Sequence, residues 1–188
     1  MDWKKIIDHY YGAETSELKS LLLLHSRQVA DHALRICDCH PEFRLDREFI
    51  EAAAMLHDIG IIRCDAPGIH CRGTEPYIRH GILGAEMIRS LTSLTPCGGG
   101  GGEAFARVCE RHTGAGITKE EIVEQGLPMP LRDFTPETLE EKLICYADKF
   151  YSKSHPEHVK TIDQAIRSLT KFGEAGVERF KKWVEMFE

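Results

Sequence analysis

The sequence predicts an all-α fold. Apolar residues recur at spacings of three and four through most of the chain, no stretch alternates with the period of two that a half-buried strand requires, and Asp, Thr, Pro and Gly stand where helices would begin or end. The 188 residues, 42% of them hydrophobic, are enough for one domain with a sizeable core. A single domain over 1–188 is therefore expected, with a core over about 21–152 and C-terminal helices over 156–187.

The first long helix runs from about Glu14 to Cys39, with Leu18, Leu21, Leu22, His25, Val29, Ala33 and Ile36 on one face, so His25 points toward the core. Asp46 caps a second, in which Phe49, Ile50, Ala53, Ala54 and Leu56 turn inward, and the helix stops near Gly60, where a left-handed turn is cheap. The residues from Ile61 to Gly73 read as an irregular loop, and a third helix runs from about Pro76 to Leu91 with Pro in its first turn. The run TPCGGGGGE over 95–103 reads as a connector, because a phosphate-cradling loop needs spaced glycines followed by Lys and Ser or Thr. Helices follow over Glu103 to His112 and, capped, over the stretch TKEEIVEQG that ends at Gly126. A surface loop precedes a helix from Pro136 that carries Leu139, Leu143, Ile144, Ala147 and Phe150 inward with Asp148 beside them, and Gly173 and Gly176 divide the last apolar segment in two.

The net charge of −6 excludes a general basic field of the kind that grips a nucleic-acid duplex, and a small anionic substrate is the expectation. No apolar run approaches the ~18 residues of a membrane span. MDWKKIIDHYYG lacks a signal-peptide core, which leads us to expect a cytoplasmic protein with no membrane partner. Seven cysteines without a CxxC pair fit reduced thiols. The clusters CDCH (Cys37 to His40) and CDAPGIHC (Cys64 to Cys71) invite a zinc reading, but structural zinc wants two well-spaced ligand pairs, and free thiols are the simpler account.

The stretch AAAMLHDIG poses the chemical question. His57 and Asp58 end an apolar helix, and a buried ionisable pair is costly unless something compensates both members; a metal cation does so. Three helical segments thus bring His25, His57 with Asp58, and Asp148 toward the interior. Imidazole and carboxylate donors suit iron, manganese, zinc or nickel.

The order H…HD…D, with HDIG after an Ala-rich helix and YADKF near the end, resembles the HD superfamily of metal-dependent phosphohydrolases over about Leu21 to Phe150. It is closer still to small prokaryotic HDIG-type proteins, with which it shares the blocks HGILGAE, ERHTGAGIT and PETLEEKLICYADK. The resemblance implies an HD-domain helical bundle holding divalent metal ions, two in number, drawn from iron, manganese, zinc, nickel or magnesium. By the family's pattern, His25, His57, Asp58 and Asp148 would surround one ion and His80 and His112 the other, with Asp58 bridging them. It implies a hydrolase that cleaves a phosphate ester or phosphoanhydride of a nucleotide or related small molecule with a metal-activated hydroxide. Lys149 takes a catalytic role from its place in the motif. The single His112 where cyclic-di-nucleotide phosphodiesterases carry a His pair, and the lack of their GYP motif, argue against that activity.

Competing assignments remain. His32 lies seven residues after His25 on roughly the same helix face and is its competitor as a ligand. Among basic residues, Arg63 on the loop after HDIG is the first choice to meet phosphate, ahead of Arg79 and Arg111, each beside a ligand but turned by about 100° from it on a helix. His70 lies on the loop near the site and is a candidate substrate contact. A metal-containing module that binds a nucleotide without turning it over, and a di-iron oxygenase on the same ligands, are the alternatives. The apolar C-terminal helices would cover either the core or a second copy of the chain.

Overall fold

A computed structural model of the chain describes residues 1–93 and 101–188. Its first helix, α1 (Trp3–Tyr11), which the periodicity did not announce, starts where the Asp2 carboxylate accepts from Lys5 N–H. The side chain that docks it is Lys19, whose Nζ donates to Asp8 Oδ1 (2.7 Å) and to the carbonyls of Gly12 (2.6 Å) and Ala13 (3.3 Å). Tyr11 Oη donates to Ile59 O and Tyr10 Oη to Met87 O, both at 2.8 Å, so this short helix also braces the segment after the HD pair.

The 23-residue α2 (Glu17–Cys39) is capped by Ser16 and buries Leu22, His25, Ser26, Val29, Ala30, Ala33 and Ile36. It packs on α3 (Arg47–Leu56), whose N-terminus is closed by Asp46 accepting from the N–H groups of both Glu48 and Phe49. His57 and Asp58 follow immediately, and a 3-10 turn over Ile59–Arg63 leads into the short strand β1 (Cys64–Ala66). Gly60 is not in a left-handed conformation, contrary to expectation. It is required for closeness: a Cβ there would lie 2.1 Å from His80 O and 2.4 Å from Gly84 N.

The region expected to be an irregular loop contains a small sheet in the order β2-β1-β3, where β2 is Cys71–Arg72 and β3 is Glu75–Pro76. Strands of two or three residues are too short to show a period in the sequence. The next helix begins after Pro76 with a 3-10 turn over Tyr77–Arg79 and continues as α4 (His80–Ser93). Of the glycine-rich connector, 94–100 lie outside the described residues, while Gly101 and Gly102 already belong to α5 (Gly101–Arg111).

The helix α6 (Lys119–Gln125) carries a full capping box between Thr118 and Glu121 and ends at Gly126 with φ of 60°. The helix expected from Pro136 starts later, as α7 (Leu139–Asp148), because Thr138 accepts from Glu141 N–H and sets the first turn there. A second unannounced element follows: the hairpin of β4 (Tyr151–Ser152) and β5 (His155–Val159), turned at Lys153 and Ser154. Then come α8 (Ile162–Leu169) and α9 (Glu174–Phe187), separated at Gly173, whose φ is 102°; Gly176 lies within α9 and breaks nothing.

The main core joins α2, α3, α5, α7 and α9, with Tyr146 stacked on Phe180 at 5.1 Å and its hydroxyl donating to Glu188 at 2.6 Å. A smaller cluster of Ile82, Ile117, Ile122, Met129 and Phe134 supports the loop side. The fold is helical throughout its frame, and the strands are clasps between helices. Among the described residues, no helix is long and apolar enough to cross a membrane.

Candidate metal centre

Six side chains from five separate places in the chain meet in the interior. His25 comes from the middle of α2, His57 and Asp58 from the end of α3, His80 from the first residue of α4, His112 from just after α5, and Asp148 from the last residue of α7. All are buried, and their donor atoms fall into two groups in which every atom lies within 4.8 Å of the others: His25, His57, Asp58 and Asp148, and Asp58, His80 and His112. Asp58 belongs to both. Its Oδ2 faces His25 Nε2 and His57 Nε2, each at 3.1 Å, and its Oδ1 faces His80 Nε2 and His112 Nε2, each at 3.3 Å. Asp148 Oδ1 closes the first group, 2.9 Å from His25 Nε2 and 3.5 Å from His57 Nε2.

The backbone sets which nitrogen each ring turns inward. Nδ1 of His57 lies 2.6 Å from Ala54 O, that of His80 2.7 Å from Tyr77 O, and that of His112 2.7 Å from Cys109 O, so in each ring Nδ1–H donates to the carbonyl three residues earlier and Nε2 is left to face the group. Close approach of the elements does the rest. The Gly60 contact with His80 and Gly84 brings the HD turn against the start of α4, and at Gly81 a Cβ would meet Cys109 O at 2.5 Å, so α4 and α5 also approach at backbone range.

Close as these atoms are, several are unsatisfied as hydrogen-bonding groups. His25 Nε2, His57 Nε2 and Asp58 Oδ1 are buried without a hydrogen-bond partner, and Asp58 Oδ2 has only the ion pair with Lys153. Nε2 of His80 and Nε2 of His112 face each other at 3.0 Å. Converging acceptors of this kind repel unless a cation sits among them. Donors 2.9–3.5 Å apart are also what ligands of one first-row ion become when each lies about 2.1 Å from it. The donor set fits divalent metal.

Electrostatics agree with a cluster built to hold positive charge. Burial pushes the Asp58 carboxyl toward its neutral form, but Lys153, His57, His112 and His25 outweigh it and hold the group well below the usual carboxylate range. Asp148 is held down likewise, chiefly by Lys149. Burial disfavours a charged His57, yet the two carboxylates prevail and raise it to about 9. His80 goes the other way, down to about 3, because burial dominates and His112 and Lys153 add to it. His112 is lowered by burial as well.

A cavity of about 560 Å³ opens from the cluster. His80, His112 and Asp148 line it together with Lys149, Lys153, Lys160 and Lys171, and Ile69, Ile78, Leu127 and Phe172 give it an apolar wall. Lys149 Nζ is fixed by Asp148 Oδ2 at 2.6 Å and His112 O at 2.9 Å. Lys153, which the sequence did not single out, ion-pairs with Asp58 from the turn of the β4–β5 hairpin and lies beside the Tyr77 hydroxyl. Its only signal in the sequence was a lysine five residues after Asp148.

The remaining basic candidates sit elsewhere. Arg63 is a correction: its guanidinium pairs with Glu86 at 3.2 Å, half exposed, and does not line the cavity, because the 3-10 turn after Asp58 carries it toward α4. Arg79 is held by Glu75, and Arg111 by Glu137 and Thr135 O. His70 is exposed and pairs with Glu17 at 3.2 Å. His32 packs among Tyr146, Phe150 and Tyr151 and takes no part in the cluster.

Residues 22–152 match the HD domain family, and the chain belongs to that family. It is 36% identical over 140 residues to an uncharacterised protein of Methanocaldococcus jannaschii, covering 70% of each chain. It is also similar to proteins named tRNA (cytidine(56)-2'-O)-methyltransferase, with 35% identity over 142 residues in Picrophilus torridus and 30% over 142 residues in Thermoplasma volcanium. These matches cover 76% of this chain but only 35% and 33% of those relatives, so the chain spans about a third of their length. No solved structure matches the chain.

Proposed function

We propose that this HD protein is a divalent-metal-dependent phosphohydrolase acting on a phosphate ester or phosphoanhydride of a nucleotide or related small molecule. The observation that carries the reading is the pair of buried donor groups sharing Asp58, three of whose members, His80, His112 and Asp148, line a cavity together with four lysines. Two cations, one held by His25, His57, Asp58 and Asp148 and the other by Asp58, His80 and His112, would supply Lewis-acid charge and a water of lowered pKa. The chain's own residues do the rest. The i−3 carbonyls hold His57, His80 and His112 with Nε2 inward, so the donor set is preorganised. Lys149 and Lys153, anchored on Asp148 and Asp58, present ammonium groups where phosphate oxygens gain charge in the transition state. Ile69, Ile78, Leu127 and Phe172 exclude water beside the reacting group and face the organic part of the substrate. Residues 1–188 act as one unit in this reading, since Lys153, Lys160 and Lys171 follow the last ligand in the chain.

The test is metal content by elemental analysis together with release of phosphate from a panel of phosphate esters and anhydrides. Wild type should hold two ions per chain, His112→Ala one, and Asp58→Asn neither, with turnover lost in Asp58→Asn by at least ~10³-fold. Turnover that survives removal of metal overturns the proposal. Two bound ions with no turnover across the panel favour the nucleotide-binding module, and oxygen consumption by the iron-loaded protein favours the oxygenase.

The methyltransferase relatives support a second reading of the substrate, in which the phosphate belongs to an RNA. Including a phosphorylated tRNA end in the panel separates the two: preference for it over free nucleotides by kcat/KM assigns the site to RNA.

A further inference from the structure

Of the four lysines in the cavity wall, two are anchored on the metal-binding carboxylates and two are not. Lys149 pairs with Asp148 and Lys153 with Asp58, whereas neither Lys160 nor Lys171 has a carboxylate at ion-pairing distance among the described residues. Lys160 is half-buried, placed by its own N–H donating to Phe150 O at 2.8 Å as the chain leaves β5. Burial lowers the pKa of its ammonium; Asp148 opposes that, and Lys149, Lys171 and Lys153 add to it, so these like charges feel one another around a single cavity. Lys171 lies in the turn between α8 and α9, its Nζ 5.0 Å from the centre of the Phe172 ring. Ser152, Ser154 and Ser168 line the same space.

Lys160 is half-buried and Lys171 exposed at the cavity wall; an ammonium that faces a cavity without a counter-charge, above all one partly desolvated as Lys160 is, gains when an anion arrives. Lys149 and Lys153 meet the reacting phosphate in the reading above, on which this inference rests, while Lys160 and Lys171 line the same cavity of about 560 Å³, a volume suited to a whole nucleotide, with no carboxylate to occupy them. We infer that Lys160 and Lys171 form a second phosphate subsite, so that the substrate carries a phosphate besides the one that reacts, either in a polyphosphate chain or in the backbone of a short 5'-phosphorylated oligonucleotide. Both lysines lie beyond residue 152, where the match to the HD domain family ends.

The test is lysine footprinting of the protein as purified with its metal, using brief acetylation by an N-hydroxysuccinimide ester and peptide mass spectrometry. The added ligands are AMP, α,β-methylene-ADP and the dinucleotide pApA. Protection of Lys160 and Lys171 by either two-phosphate ligand, but not by AMP, is the expected result. Protection by α,β-methylene-ADP alone assigns the second phosphate to a polyphosphate chain, and by pApA alone to a nucleic-acid backbone. Equal protection by AMP, or none by any ligand, overturns the subsite. In Lys160→Ala/Lys171→Ala the ratio of affinities for the two-phosphate ligand over AMP should fall about tenfold, the loss of charge-assisted contacts to one phosphate; an unchanged ratio also overturns it. The footprint needs no turnover, so a protein that hydrolyses nothing in the substrate panel yet shows this protection would lose the phosphohydrolase reading and keep the binding site.

Discussion

His32 lies two helical turns beyond His25 and meets different surroundings. Its ring sits edge-on to Phe150 at 4.8 Å and near Tyr151 at 5.8 Å, and burial, helped by Arg35 and opposed by Glu188, lowers its pKa from 6.5 to about 4. The unfolded chain therefore binds a proton near pH 6.5 that the folded chain refuses until about pH 4, so this group costs stability as pH falls across that window, on the order of 2–3 kcal/mol at full effect. His32→Phe, which keeps an aromatic ring there, should flatten the pH dependence of denaturant midpoints between pH 4 and 6.5. A midpoint that falls as steeply as in wild type would show that other groups control acid stability. Spacing alone left His25 and His32 as rivals, and the difference between them lies in which neighbours α7 presents. The basic residues were harder to read: Arg63 stands next to the motif and turns toward Glu86, while Lys153 approaches Asp58 from a hairpin. Arg63→Ala should leave kcat and KM within about twofold of wild type, whereas Lys153→Met should lower kcat by about 10²-fold, in keeping with loss of a charge aimed at the transition state. Steady-state kinetics on one substrate reads both.

At the scale of elements, the packing of α4 on the turn after α3 decides whether the second donor group exists. Gly60 permits His80 O and Gly84 to approach where a methyl group would stand, and the obstruction is backbone, which cannot rotate away. Gly60→Ala should force α4 outward, destabilise the protein by roughly 1–3 kcal/mol, and separate His80 from Asp58. Thermal melting together with metal content checks this: a lower Tm with two ions retained would show that the turn can yield without disturbing the ligands. The helices capped at Asp46 and over Lys119–Gln125 were legible, because an apolar face or a closing glycine accompanies the local cap there. The helix α1 was not, since it is held by Lys19 and the two tyrosines reaching across to other segments. The reason for glycine at position 60 was also hidden, because close approach of two backbones is a tertiary fact with no local signature.

Over the whole molecule, the net charge of −6 and the lysine-lined cavity are compatible because acidic residues are spread over the chain and the cavity collects cations. Of the residues that form the donor groups, His25, His57, Asp58 and Asp148 could be proposed from the apolar helix faces they share, whereas His80 and His112 came only from the resemblance to the HD superfamily. The cavity wall could not: Lys160 and Lys171 occupy unremarkable stretches and acquire meaning only when the hairpin and α8 fold back beside α7. The family match ends at residue 152, immediately before the first of the three lysines contributed by the C-terminal part. All six donors lie inside the family match, and three of the four cavity lysines lie outside it. Membership of the family accordingly vouches for the stretch that carries the donors and leaves the choice of substrate open.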